Sequence, residues 1–144
     1  RAAARVGFAV TVLDDRPEFA NAERFPEAER VVVLDSFDDC FADVPLDANS
    51  ALVIVTRGHQ HDKTVLGQAL RTAAGYLGMI GSTRKRDAIY ATLTKEGASP
   101  EALAAVHCPI GLPCGAETPE EIAVSIVAEL IRARALRRGT RRRV

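Results

Sequence analysis

Short β-branched runs that alternate with amphipathic helical stretches leave this chain few architectures to adopt. "RVVVLD" (30–35) and "ALVIVT" (51–56) are apolar runs of strand length bounded by polar residues, and "YLGMIG" (76–81) has the same form. An earlier run, 8–13, follows Gly7, where a helix can close in a left-handed conformation, and ends in the acids Asp14 and Asp15. Between and after these runs lie "HDKTVLGQALRTAAG", "STRKRDAIYATLTKEG" and "TPEEIAVSIVAELIRARAL". In the last of these, Ile122, Ile126 and Leu130 recur every fourth position, as one face of a helix requires. Strands separated by helices are joined in parallel, so the expected fold is α/β, a doubly wound parallel sheet with helices on both faces.

Several boundaries carry their own chemistry. Gly75 and Gly97 are placed to stop helices. Thr118-Pro119-Glu120-Glu121 sets a cap, a first-turn proline and a capping-box glutamate in order. Asp62 is placed to cap the helix that follows it. The segment 101–115 is irregular, with a short helical piece followed by "HCPIGLPCGAE".

At 144 residues the chain is long enough for one domain with a full core. Its 19 basic and 19 acidic residues cancel, so nothing global points to nucleic acid or to an anionic membrane. Charge is nevertheless uneven: "DSFDDCFAD" is locally acidic, and arginines crowd the stretch from Arg132 to Arg143. The division expected is a domain over 1–136 and a basic C-terminal tail over 137–144. Three cysteines without paired spacing make no disulfide framework, and no apolar run is long enough to span a bilayer. A cytoplasmic protein is expected. Because Arg1 reads as the middle of a helix, a missing N-terminal segment is expected too.

Groups able to carry chemistry cluster at the ends of the strands. In a dinucleotide fold the acid closing the second strand bonds ribose hydroxyls, and a glycine-rich turn lies about 20 residues before it. Asp14 holds that acidic position, and the turn would fall before Arg1. Asp14 or Asp15 is equally suited to opening a turn, and Arg16 either favours a phosphate-bearing ribose or pairs with Asp14. "TRGHQHD" (56–62) follows a strand at the edge where ligands of such sheets gather, which makes Thr56, Gly58 and His59 nucleotide or ligand contacts. His59 and His61 stand two apart with no cysteine nearby, a spacing that does not suit zinc.

In "GYLGMIGSTRKRD" (75–87) the strand-to-helix order turns the amides after Gly81 outward at a positive helix end. Ser82, Thr83, Arg84 and Lys85 add hydroxyl and cationic donors for an anion, although Gly78 also suits close strand–helix packing. The spacing is not that of a P-loop. In "CPIGLPC" the two prolines stiffen the backbone around Cys108 and Cys114. These cysteines read as small buried residues or, alternatively, as a persulfide carrier; Cys40, among carboxylates, is poorly placed to form thiolate.

Taken together, "DDRPEFA", "TRGHQHD", "YLGMIGSTRK" and "PIGLPCGAETPEEIAVSIVAELI" resemble, in order and spacing, the Rossmann domain of the xanthine dehydrogenase accessory protein family of the XdhC/CoxI type. The fold this implies is Rossmann-like, here lacking its first strand and glycine-rich turn. Family members commonly carry a separate N-terminal domain as well. The function implied is maturation of molybdenum hydroxylases: binding molybdenum cofactor (molybdopterin), supporting its sulfuration and inserting it into the apo-enzyme. The partners implied are the apo molybdenum hydroxylase and a sulfur-donating cysteine desulfurase, with a homodimer as a possible assembly and a cofactor chaperone rather than a catalyst as the role. Asp14, Arg16, Thr56, Gly58, His59, Asp62, Gly78, Gly81, Ser82, Arg84 and Lys85 then become cofactor-binding candidates, with the Pro109–Gly111 turn as the other wall.

Two other readings share the fold. An NAD(P)-dependent oxidoreductase would use Asp14 for the ribose and His59 as proton donor. A nucleotide-sensing regulatory domain would change its assembly with ligand. A doubly wound sheet normally holds its first strand between the strand containing Val10 and the strand containing Ile54. The gap is expected to be filled from another chain, or the two strands to close on one another.

Overall fold

A computed structural model describes residues 1–141. The end of the basic tail, 142–144, lies outside the described residues. The chain divides into two compact units, the first spanning Arg1–Asp43 and the second starting at Val44.

The first unit opens with a short helix, α1 (Ala2–Arg5), and holds two strands, β1 (Thr11–Asp14) and β2 (Arg30–Val33). They pair in parallel with Thr11 opposite Arg30 and Asp14 opposite Val33. Gly7 closes the helix at φ +84°, the left-handed geometry expected of it. Ala20 and Cys40 are the buried apolar side chains of this unit.

In the second unit β3 (Ala51–Ile54) leads through helix α2 (His59–Ala69) to β4 (Tyr76–Met79), a parallel crossover. Ala51 faces Tyr76 across the ladder, and Ile54 faces Met79. Helix α3 (Thr83–Lys95), the short α4 (Pro100–Ala104) and the long α5 (Pro119–Arg141) follow. Helix α2 packs on both strands and against α3. Leu66 and Met79 are fully buried in this core, burial that contributes about 1.5–3 kcal/mol each. Gly67 gives α3 its close approach, since a Cβ there would sit 3.1 Å from Leu93 Cδ2.

Among the described residues β1 pairs with β2 and β3 with β4, one parallel pair in each unit, and the expected pairing of the Val10 strand with the Ile54 strand is not among these ladders. The edge of β4 is extended instead by the segment after α4. Gly78 bridges His107 in parallel, the Met79 amide donates to His107 O (2.9 Å), and the Ile110 amide donates to Met79 O (3.1 Å).

Helix ends follow local chemistry in most places. Ser82 Oγ accepts the Lys85 amide at 3.2 Å and caps α3, and Gly97 follows its last turn at φ +98°. The capping box of α5 is complete: Thr118 Oγ1 accepts the Glu121 amide (3.2 Å) while Glu121 Oε2 accepts the Thr118 amide (3.0 Å).

Two expected boundaries are corrected. Helix α2 begins at His59 behind Gly58, so Asp62 sits inside the first turn and does not cap it. That helix also ends at Ala69 with Leu70 as its cap, well before Gly75. Gly75 is glycine for another reason: a Cβ there would run into the Ala48 carbonyl and the Arg137 guanidinium, which bond each other at 2.9 Å. Helix α5 continues through Arg137 to Arg141, so the first part of the basic stretch is helical. No helix among the described residues is long and apolar enough to cross a membrane.

Candidate functional site

The candidate residues fall into three groups. Asp14 and Arg16 lie in the first unit at the carboxyl end of β1. Asp14 Oδ1 accepts the Arg16 amide (3.0 Å) and Nε (2.9 Å), while Oδ2 accepts Nη2 (3.0 Å). Both architectural readings of this pair are thus realised at once, a turn opened by an aspartate and a forked ion pair. The Arg16 guanidinium, helped by the turn amide, outweighs burial and holds the Asp14 carboxyl below the ordinary range. Arg16 also stacks over Phe19, 3.9 Å from the ring centre.

The second group gathers where β3 and β4 end. Asp62 is fully buried, and its Oδ1 accepts the Thr56 hydroxyl (2.6 Å) and amide (3.3 Å). Its Oδ2 pairs with Lys85 Nζ, which reaches back from α3. A carboxylate from α2 therefore fastens the turn after β3 to the helix after β4, and a charge that would be costly alone is paired on both oxygens. Gly81 leaves room for this arm, since a Cβ there would come within 2.9 Å of Lys85 Cδ.

With Lys85 committed to Asp62, Arg84 is the exposed cation of the first turn of α3. Ser82 satisfies the Lys85 amide, and the Ser82 carbonyl accepts the Arg86 amide (3.0 Å). The amides of Thr83 and Arg84, at the first two helical positions, have no intrahelical acceptor. Two free donors, a positive helix end and a guanidinium thus share one exposed turn beside the end of β4. Gly58 and His59 are exposed at the start of α2, and the φ of +87° at Gly58 favours glycine there.

The third group is built around the segment that joins the edge of β4. Glu129 of α5 is buried, and its Oε2 accepts the Gly111 amide (2.7 Å) and the Tyr76 hydroxyl (2.9 Å). Its Oε1 meets His107 Nδ1 (2.9 Å) and Arg132 Nη2 (3.2 Å). Burial pushes this carboxyl up, but the hydrogen bonds from Gly111, Tyr76 and His107 prevail and hold it below the ordinary glutamate range. Burial, with Glu129 as acceptor, pushes the Tyr76 phenol up. Gly111 needs to be glycine: φ is +103°, and a Cβ would strike Ser125 Oγ. At Gly78 a Cβ would lie 2.8 Å from Ile110 Cγ1, so that glycine admits the added segment to the sheet.

Sequence reasoning singled out Pro109 and Gly111 but missed Glu129 and Arg86, whose Nη1 donates to Cys108 O at 3.2 Å. A signal for Glu129 was present, because it falls beside Leu130 on the apolar stripe of α5, where an unpaired acid is rarely buried. The cysteines separate: Cys108 is buried and Cys114 exposed. Burial raises the Cys108 thiol, and burial together with Asp39 and Asp38 pushes Cys40 up to about 11. No group of three or more His, Cys, Asp or Glu side chains able to hold a metal converges among the described residues.

Comparison with known proteins identifies the chain's relatives. The chain is 33% identical over 132 residues to a Bacillus subtilis protein named as a probable subunit of xanthine dehydrogenase, covering 92% of this chain and 38% of that protein. It is 30% identical over 134 residues to the uncharacterized protein YqeB of Escherichia coli K12, covering 93% of this chain and 24% of the relative. Among solved structures, a crystal structure titled as a xanthine dehydrogenase from Bacillus halodurans superposes with a TM-score of 0.76 at 31% identity, covering 92% of this chain and 37% of that one. The chain thus spans well under half the length of these relatives. Residues 1–130 match the XdhC Rossmann domain, a match that takes in β1 to β4, Asp62, Lys85 and Glu129; the chain belongs to that family.

Proposed function

We propose that this chain is the cofactor-holding domain of an accessory protein that matures xanthine dehydrogenase or a related molybdenum hydroxylase. It would bind molybdenum cofactor and hold it for sulfuration and delivery to the apo-enzyme. The observation that carries the reading is the exposed first turn of α3. The amides of Thr83 and Arg84 and the Arg84 guanidinium are what an anionic pterin phosphate requires, and the nearest buried carboxylate, Asp62, is already neutralised by Lys85. The residues present therefore fit the group. In this reading Thr83 and Arg84 take the phosphate, and Ser82 and Lys85 hold the turn in shape. The Pro109–Gly111 turn, held by Glu129 and by the β4 edge, is assigned in this reading as the other wall.

When bound, the cofactor supplies the molybdenum and dithiolene chemistry, and the chain supplies binding and orientation. Burial raises the thiols of Cys40 and Cys108, and in this reading the sulfur comes from a partner cysteine desulfurase.

Titration of the chain with molybdenum cofactor and, separately, with NAD(H) tests the reading. Saturable pterin binding that weakens about tenfold in Arg84→Ala, with NAD(H) bound weakly, supports it. Tight NAD(H) binding with hydride transfer to a small substrate would establish the oxidoreductase instead. Pterin binding unchanged by Arg84→Ala would remove the phosphate from α3.

A further inference from the structure

Beyond fixing the Pro109–Gly111 turn, the Glu129 assembly borders a groove beside Tyr76 that this reading does not use. Tyr76 opens β4, and the first turn of α3 follows the strand's other end. Around Tyr76 lies a groove of about 380 Å³, lined by Gly75, Tyr76, His107, Glu129, Arg132 and Arg137 among others. All of these belong to the second unit.

The bonding of Glu129 decides what the groove can take. The carboxylate already accepts four hydrogen bonds, from Gly111, Tyr76, His107 and Arg132, which fills its lone-pair sites. It is therefore neither a vacant metal ligand nor a base for a ligand. Its effect falls on His107: with Nδ1 held by Glu129 at 2.9 Å, the ring is fixed in orientation and Nε2 is left as its unused polar atom. One face of the ring is stacked on Tyr76, with centroids 4.6 Å apart and planes 24° from parallel. Tyr76 is buried while the His107 side chain is 39% exposed, so the exposure belongs to the outer face and the Nε2 edge.

Charge then selects the class of ligand. One carboxylate faces two guanidinium groups, a surplus of positive charge. Arg132 spends one donor on Glu129, and Arg137 spends Nη1 on the Ala48 carbonyl and Nε on the Ala133 carbonyl (3.3 Å). Each guanidinium has five donors, so both retain some for a ligand.

We propose that this groove is a separate oxyanion site, taking the carboxylate or phosphate of a small molecule between Arg132, Arg137 and His107 Nε2. Nδ1 of His107 stays on Glu129, and an anion held by the two guanidinium groups lies against the Nε2 edge of the ring, so the imidazole reports its binding. The groups facing the ring are Glu129 and Arg132 from α5 and Tyr76 from β4, and Tyr76 remains a neutral phenol throughout.

The test is to follow the imidazole signals of the whole chain by NMR at fixed pH while adding inorganic phosphate and, separately, acetate. His59 and His61, at the far end of the unit's strand pair, serve as internal references. A saturable shift of His107 alone is expected, with the stronger of the two anions naming the phosphate or carboxylate class. Arg132→Gln is expected to weaken the response about tenfold. Arg84→Ala is expected to leave it intact. No saturable shift with either anion, an undiminished response in Arg132→Gln, or loss of the response in Arg84→Ala would each overturn a separate site in this groove.

Discussion

Two buried acids, Asp62 and Glu129, organise the second unit, and they do so in different ways. Asp62 holds one charge partner, so removing the acid strands Lys85, whose side chain is only 16% exposed. Asp62→Ala is expected to cost about 3–5 kcal/mol in urea unfolding, because an uncompensated ammonium is left behind, and Asp62→Ala with Lys85→Met is expected to recover part of that loss. Glu129 holds mainly hydrogen-bond donors, so its signature is pH dependence. Its folded carboxyl titrates below the ordinary range, which means its stabilisation is fully present above the unfolded value of about 4.3 and is lost as pH falls through the lower folded value. Glu129→Gln should be less stable at neutral pH and flatten the acid limb of a stability-against-pH curve. A mutant with an acid limb as steep as that of the parent would show that other carboxylates govern it. The sequence exposed one of these residues more clearly than the other. Asp62 stood in a conspicuous motif but with the wrong role, because cap and first-turn positions differ by only a few residues in sequence. Glu129 was hidden inside an apolar helix pattern, and its partners His107, Gly111 and Tyr76 are brought to it by tertiary structure alone.

Elements were more legible than sites, since their ends are set by local chemistry. The capping box at Thr118 and Glu121, the left-handed Gly97 and the four strand cores around Val12, Val32, Leu52 and Leu77 could all be read from neighbours within a few positions. Elements that end for tertiary reasons were not legible. Helix α2 stops at Ala69, while Gly75 serves the approach of Arg137 to Ala48, a contact between residues far apart in the chain. The segment after α4 joins the edge of β4 although its proline denies it a strand signature. Thr118→Ala is expected to lower stability by about 1 kcal/mol, through the lost Oγ1 acceptor alone, with the hydrogen bonds from the Glu117 and Thr118 amides to Glu121 retained. Urea unfolding of this variant beside Glu121→Ala checks the assignment. Equal stability of Thr118→Ala and the parent would mean the cap contributes nothing to a helix held by its packing.

At the scale of the whole molecule, the two compact units differ in what they can sustain. The first has two parallel strands and only small buried apolar side chains, Ala20 and Cys40, among its described residues. A two-stranded parallel pair of that size lacks the core that independent folding requires. The second contains both partners of every bond in the Asp62 and Glu129 assemblies, from Thr56 to Arg132, together with Leu66, Met79 and Leu130 of the core. A chain starting at Val44 is therefore expected to fold by itself with a cooperative urea transition. Its Gly111 and Thr56 amides should stay protected in hydrogen exchange, because each donates to a buried carboxylate held inside that unit. Residues 1–43 alone are expected to exchange without protection at the β1–β2 ladder. Loss of protection at Gly111 in the shortened chain would show that the second unit's site depends on the first.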